Sequence, residues 1–236
     1  MMRMPEPRIH DTSPAVCWRD GFRTANGECG AVLYGEPAME KVVFEAGRSC
    51  HPAYEFRISS PGMTAVGGYG RITDSRTGEV TSTWTDGHGT WARRAFASRA
   101  DQVIAHELLP APGRTVDTTL SVDTALDGLL GSTRCTTRAT VSNGSGYLSL
   151  RGVGRSGRGV SGYEGITRVV AFGGSVLASG ATLVVIGAAR LLLLTKLDRC
   201  ESSPTGWIFP ALRTALSGLE SDYATLFARH TAATPA

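Results

Sequence analysis

Val80-Thr-Ser-Thr-Trp84, Thr85-Asp-Gly-His-Gly-Thr90 and Trp91-Ala-Arg-Arg-Ala-Phe96 follow one another without a break, and they decide the fold. The outer runs alternate apolar with polar residues and are rich in β-branched and aromatic types, while the middle run carries turn-forming Asp and Gly. That order predicts a hairpin in which Trp84 and Trp91 face each other across two antiparallel strands. Paired tryptophans in such a hairpin belong more naturally to a core than to an exposed platform for sugar stacking.

The same pattern extends outward in both directions. Val116, Thr118, Leu120 and Val122 alternate with polar neighbours. Thr137, Ala139 and Val141 lead into Asn143-Gly144, after which Tyr147, Leu148 and Leu150 resume, which predicts a second hairpin. Residues 166–172, 183–186 and 190–197 add three strands. The last two are so continuously apolar that cover on both faces is expected. No useful helical period interrupts the stretch from Val32 to about Leu197. The glycine-rich run from Arg151 to Gly162 reads as a mobile surface loop. The fold class expected is mainly β: an antiparallel β-sandwich over 16–200, preceded by a flexible N-terminal extension over 1–15.

After Ser202-Ser-Pro-Thr-Gly206 the period changes. Ile208, Leu212, Leu216, Leu219, Tyr223, Leu226 and Phe227 recur three and four residues apart, so 201–236 is a helical linker, as one helix or as two broken near Gly218. The strands alone already suffice for a core. The stripe is therefore expected to stay exposed for a neighbour outside this chain, or else to pack back on the sandwich.

Composition narrows the function. A chain of 236 residues with 42% hydrophobic and 19% charged residues is a folded protein large enough to hold a core without disulfides or metals. Lys+Arg 24 against Asp+Glu 21 leaves a net charge of +3, and the pI of 8.7 lies below the roughly 9 that marks nucleic-acid binders. Cys17, Cys29, Cys50, Cys135 and Cys200 are odd in number and form no CxxC pair, which argues for free thiols and no metal. The opening MMRMPEPRIHDTSP has no apolar stretch to serve as a secretory signal, so a cytoplasmic location is expected. The most apolar segment, 181–194, is interrupted by Arg190 and is shorter than the ~18 residues of a membrane span.

Taken in order, several segments resemble the N-terminal domain of glycoside hydrolase family 95, whose best-known members are α-L-fucosidases, with relatives acting on α-L-galactosides. Trp18 and then Phe22-Arg-Thr-Ala-Asn-Gly-Glu-Cys-Gly-Ala-Val-Leu-Tyr-Gly35 resemble that family's opening Trp and LPLGNGRLGAMVFGG-type strand, with Asn26, Gly27, Gly30, Ala31 and Gly35 matching. Lys41-Val-Val-Phe-Glu-Ala-Gly-Arg-Ser-Cys-His-Pro52 is similar to its next strand and loop at Glu45, Arg48 and Pro52. Residues 69–78 resemble a YRRxLDLxTG segment. Trp91 to Ile104 resembles YxRExFxSxPDQVI through Arg93, Phe96, Ser98, Asp101, Gln102, Val103 and Ile104. The terminal Ser221–His230 resembles the linker helix. Ala25 and Arg94 depart from the pattern, standing where that family has Gly and Glu.

The resemblance implies a non-catalytic domain that supports a separate (α/α)6 barrel, in cis or as another chain. Hydrolysis there would proceed by inversion, with two carboxyls ~6.5–9.5 Å apart. No catalytic residue and no cofactor are then expected in this chain. Asn26, Glu45, Arg48 and His51 are the candidate contacts to the barrel or its sugar, although Asn26 also suits a turn and Glu45 suits an ion pair with Arg48. Glu36, Glu40, Glu45, Glu55, Asp74, Asp86, Asp101 and Glu107 are the carboxylates from which a local acid–base pair would have to come. Cys50-His51, with Cys29 and His88, is the thiol or metal constellation to weigh, and neighbours on a strand point to opposite faces. No GxSxG or phosphate-binding loop is present. The competing class is a stand-alone carbohydrate-binding or interaction module, for which Trp84, Trp91 and Trp207 would be the aromatic candidates.

Overall fold

A computed structural model describes residues 8–47, 51–61, 63, 67–123, 134–156, 159–200 and 209–233. Among these residues, sixteen strands form two antiparallel sheets. The larger has nine strands in the order β1 (Arg8–Asp11), β6 (Gly67–Asp74), β7 (Val80–Asp86), β8 (Gly89–Ala97), β9 (Ile104–Leu109), β16 (Arg190–Cys200), β13 (Gly159–Phe172), β12 (Ser145–Ser156) and β11 (Arg134–Ser142). The smaller has seven: β14 (Ser175–Ser179), β15 (Thr182–Ala188), β10 (Val116–Asp123), β5 (His51–Ser59), β4 (Met39–Ala46), β3 (Cys29–Leu33) and β2 (Phe22–Ala25). They stack as a sandwich. Val42, Phe44, Phe56 and Ile58 from the smaller sheet share one core with Val80, Trp84, Ile104, Leu108 and Leu150 from the larger.

The central hairpin forms as its sequence requires. Trp84 pairs with Trp91, their rings stacked with centroids 6.3 Å apart, and both are buried. Asp86 sets the turn: its Oδ1 accepts from the amides of His88 and Gly89 at 2.7 and 3.1 Å, and its Oδ2 accepts from Trp91 Nε1 at 2.8 Å. The second hairpin turns on Asn143 and Gly144, both at positive φ (50° and 71°), between Ser142 and Ser145.

Over its described residues the glycine-rich run is strand instead of loop, residues 157 and 158 lying outside them. β12 and β13 stay paired from Gly146↔Val169 out to Ser156↔Gly159. Gly152 allows close approach: a Cβ there would lie 2.5 Å from Tyr163 Cζ, and Tyr163 in turn stacks on Tyr54 at 6.4 Å. Residues 8–11, read as part of a flexible extension, instead form β1 along β6, fastened by Asp11 to Arg71 at 2.8 Å.

Two helices close the described chain, α1 (Phe209–Ser217) and α2 (Tyr223–Ala232), the second capped by Asp222 accepting from the Thr225 amide at 2.9 Å. Their apolar stripe is not left exposed. Leu212, Leu216, Tyr223 and Leu226 are buried against Phe96, Val103, Ala105, Ile166, Leu192 and Leu194 on the outer face of the nine-stranded sheet. This explains the continuous apolar run of β16. Leu191 and Leu193 face the sandwich core while Leu192 and Leu194 face the helices. β15 differs, because Ile186 on its outer face is 47% exposed.

The core also holds polar groups. Arg93 and Glu40, each 1% exposed, form an ion pair between the sheets at 3.2 Å. His106 is buried beside them, and desolvation, reinforced by the Arg93 charge, pushes its pKa down to about 3. Between that value and the ordinary 6.5 the unfolded chain binds the extra proton, so stability is full above about pH 6.5 and falls as the pH drops toward the folded value. We expect His106→Leu to remove an acid sensitivity of about 1.4 kcal/mol per pH unit, read as a flatter dependence of urea unfolding on pH between about 6.5 and about 5. An unchanged slope would show that the ring does not stay neutral.

Candidate functional site

The sequence candidates gather at one end of the sandwich. Ala25 pairs with Gly30, Gly30 with Glu45 and Glu45 with Pro52, while Cys29 pairs with Ala46 and Ala46 with His51. Asn26, Glu45 and the backbone of His51 therefore share one sheet end, and the Gly47 amide ties the two turns by donating to Glu28 O at 2.9 Å. Arg48 lies outside the described residues, as do Cys50 and Trp207.

The side chains of Asn26 and Glu45 help hold that end together. Asn26, 8% exposed, accepts at Oδ1 from the amides of Glu28 and Cys29 (3.0 and 2.9 Å) and donates from Nδ2 to Ser98 O at 2.8 Å in the opposite sheet's turn. An Asn-Gly turn closes β2 onto β3 and leaves the Asn amide free to make this crossing bond. Glu45 is buried and pairs with Arg23 Nε at 2.6 Å. Asn26→Ala removes the three side-chain bonds of Asn26, and we expect it to cost about 1–3 kcal/mol in thermal or urea unfolding. A loss below a few tenths would mean that solvent replaces the crossing bond.

The turn that receives Asn26 was legible only as a motif. Ser98 and Asp101 bond each other through Ser98 Oγ to Asp101 Oδ2 at 2.9 Å and Asp101 N to Ser98 Oγ at 3.1 Å, and Gln102 adopts positive φ. Lys196 Nζ donates to Gln102 O at 2.9 Å, and Arg229 of α2 pairs with Asp101 at 2.9 Å. Residues 98–103 thus join β2–β3, β16 and the carboxyl end of α2. Arg99, Arg229 and His230 at this junction were missed, because a histidine at a helix end carries no local signal of its distant partners.

Seven of the eight candidate carboxylates are engaged by arginines or turn groups, and the eighth, Glu36, is exposed. Glu40 faces Arg93, Glu45 faces Arg23, Glu55 meets Arg57 at 2.6 Å, and Glu107 meets Arg94 at 2.7 Å and Arg190 at 3.5 Å. Asp74 accepts from the amides of Arg76 and Thr77, and Asp86 and Asp101 hold turns. Burial pushes the Glu40 carboxyl up, as a general acid needs, but that group is sealed between the sheets. Burial also pushes the Cys29 thiol up to about 11, the opposite of an activated nucleophile. Among the described residues no three His, Cys, Asp or Glu side chains are grouped to hold a metal, and no helix is long and apolar enough to cross a membrane.

The chain matches the family described as "Glycosyl hydrolase family 65, N-terminal domain" over residues 44–199, about two thirds of its length. No curated protein matches it. Among the solved structures it resembles is a putative kojibiose phosphorylase from human microbiome, with a TM-score of 0.54 and 11% identity, covering 95% of this chain and 37% of that one. At that identity the likeness is one of fold, and this chain spans little more than a third of that protein. These findings bear out a glycoside hydrolase N-terminal domain and give family 65 in place of family 95. The residues that carried the family 95 resemblance, Asn26, Arg93, Phe96, Ser98 and Asp101, serve turns and packing in the sandwich. The chain belongs to the N-terminal domain family of glycosyl hydrolase family 65.

Proposed function

We propose that this chain is the non-catalytic sandwich domain of a family 65-type glycosidase or glycoside phosphorylase, and that it supports a catalytic (α/α)6 barrel acting with inversion. The family match over residues 44–199 carries this reading. The much greater length of the putative kojibiose phosphorylase is consistent with a further domain. Engagement of seven of the eight candidate carboxylates by arginines and turn groups supports this reading. The contact face would be the end carrying Asn26, Glu45 and residues 98–103, since α2 reaches the same end.

The test is turnover of kojibiose, with and without inorganic phosphate, by the purified chain alone and by the chain mixed with a family 65 barrel polypeptide. The expected outcome is silence alone and faster turnover by the barrel when the chain is present. Turnover by the chain alone would sink the reading. A stand-alone carbohydrate-binding module is disfavoured by the burial of Trp84 and Trp91, at 0% and 6% exposure, which leaves neither indole face open for a sugar.

A further inference from the structure

α2 is clasped at its carboxyl end by one buried ring. His230 is 1% exposed. Its Nε2 lies 2.7 Å from the carbonyl oxygen of Thr77, in the turn between β6 and β7, and the Arg99 amide, in the turn between β8 and β9, donates to its Nδ1 at 3.2 Å. A carbonyl only accepts and a backbone amide only donates, so the ring must be neutral with its proton on Nε2. A second proton would fall on Nδ1, directly against the Arg99 N–H.

The surroundings offer that proton little. Phe96 and Phe227 pack on the ring, with centroids 4.9 and 5.9 Å away. Arg99 from the β8–β9 turn and Arg229 from α2 itself are cationic. Asp101, the carboxylate of the β8–β9 turn, is engaged by Arg229 at 2.9 Å. On the β6–β7 side stand Arg76, with Asp74 bonded to the amides of Arg76 and Thr77, and Glu79 accepting from Tyr223 Oη at 2.8 Å.

We propose that His230 is a pH-sensitive latch: neutral, it clamps the end of α2 across two turns of the sandwich, and on protonation it lets that end go. This goes beyond the proposed supporting role and does not depend on it, because every group involved lies within this chain. Burial, the largest influence, lowers the ring's pKa and Arg99 adds to the lowering, while the Thr77 carbonyl and the Asp101 charge oppose it. The docked state therefore binds fewer protons than the undocked one, so docking is complete above the ordinary histidine value of about 6.5 and weakens as the pH falls below it.

Amide hydrogen exchange of the whole chain, corrected for intrinsic rates, tests this with α1 as internal reference. Between about pH 7.5 and about pH 5, the carboxyl half of α2 should lose protection relative to α1 by about tenfold for each unit by which docking lowers the ring's pKa. His230→Gln keeps both bonds with neutral groups, Oε1 accepting from Arg99 and Nε2 donating to Thr77, and should show a flat ratio. A flat ratio in the wild type, or the wild-type pH dependence in His230→Gln, overturns the latch. Should that variant fail to fold, the ¹⁵N shifts of the wild-type ring decide. A neutral Nε2–H ring at neutral pH that titrates below the ordinary range supports the proposal, and an imidazolium there overturns it.

Discussion

Glu40→Ala lowers the unfolding free energy by about 3–5 kcal/mol, the range found when one partner of a buried ion pair is removed. The size follows from what is left behind. Arg93 is 1% exposed, and its guanidinium lies 4.8 Å over the Trp84 ring with no route to solvent. It also donates to Glu36 O and Pro37 O at 2.6 and 2.8 Å, so it cannot swing away without freeing two carbonyls. Glu40 Oε1 in turn accepts from the amides of Tyr34 and Gly35, both at 2.9 Å. The variant thus strands a cation and removes one acceptor from two amides in a single step. Urea unfolding measures the loss, and a cost below about 1 kcal/mol would show that the pair contributes no more than a surface salt bridge. Pairing Glu40→Leu with Arg93→Met should recover part of the stability by removing the stranded charge. Recovery is expected to be incomplete, because the turn carbonyls and amides lose those side chains as partners.

Phe96→Ala is expected to cost a similar amount, about 3–5 kcal/mol, through a different mechanism. Phe96 is fully buried on the outer face of the nine-stranded sheet, where its ring meets Tyr223, Phe227 and His230 with centroids 5.0, 5.2 and 4.9 Å away. Three contacts on α2 depend on one side chain of β8. The cavity should therefore loosen α2 before it loosens the sandwich, and limited proteolysis should cut within residues 223–232 while the Trp84–Trp91 stack keeps its near-ultraviolet circular dichroism. Leu177→Ala on the exposed side of β14, where the side chain is 53% exposed, is the control and should change stability by less than about 0.5 kcal/mol. Equal effects from the two variants would mean that the helices contribute nothing to the stability of the fold.

The two hairpins were readable because their causes are local. Alternation, a cross-strand tryptophan pair and Asp-Gly or Asn-Gly turns lie within a few residues of one another, so the pairing they favour needs no distant partner. The stretch from Arg151 to Gly162 was misread for the opposite reason. Glycine signals mobility unless another group needs the space, and at Gly152 that group is Tyr163, held by stacking on Tyr54 of the other sheet. The apolar stripe of the helices and the apolar run of β16 were both visible. That Leu192 and Leu194 are the surface the stripe covers was not, because complementarity between segments distant in sequence appears only once both are folded. Asn26 and Glu45 illustrate the same limit at the candidate site. Residue type marked them as candidates, and their contacts with Ser98 and Arg23 were visible only in the fold.

By itself the sequence determined the secondary structure of the central hairpins, the change from strand to helix after residue 200 and the sandwich class, since these follow from periodicity and turn chemistry acting over short range. Only the tertiary structure decided that Glu40 would meet Arg93 inside the core, that seven of the eight candidate carboxylates would be engaged, and that His230 would close a junction between turns more than 120 residues away. Those outcomes depend on burial. A charge or an imidazole whose chemistry is ordinary in water becomes a structural clamp when desolvation leaves it one set of partners, and which partners those are is set by the packing of whole sheets.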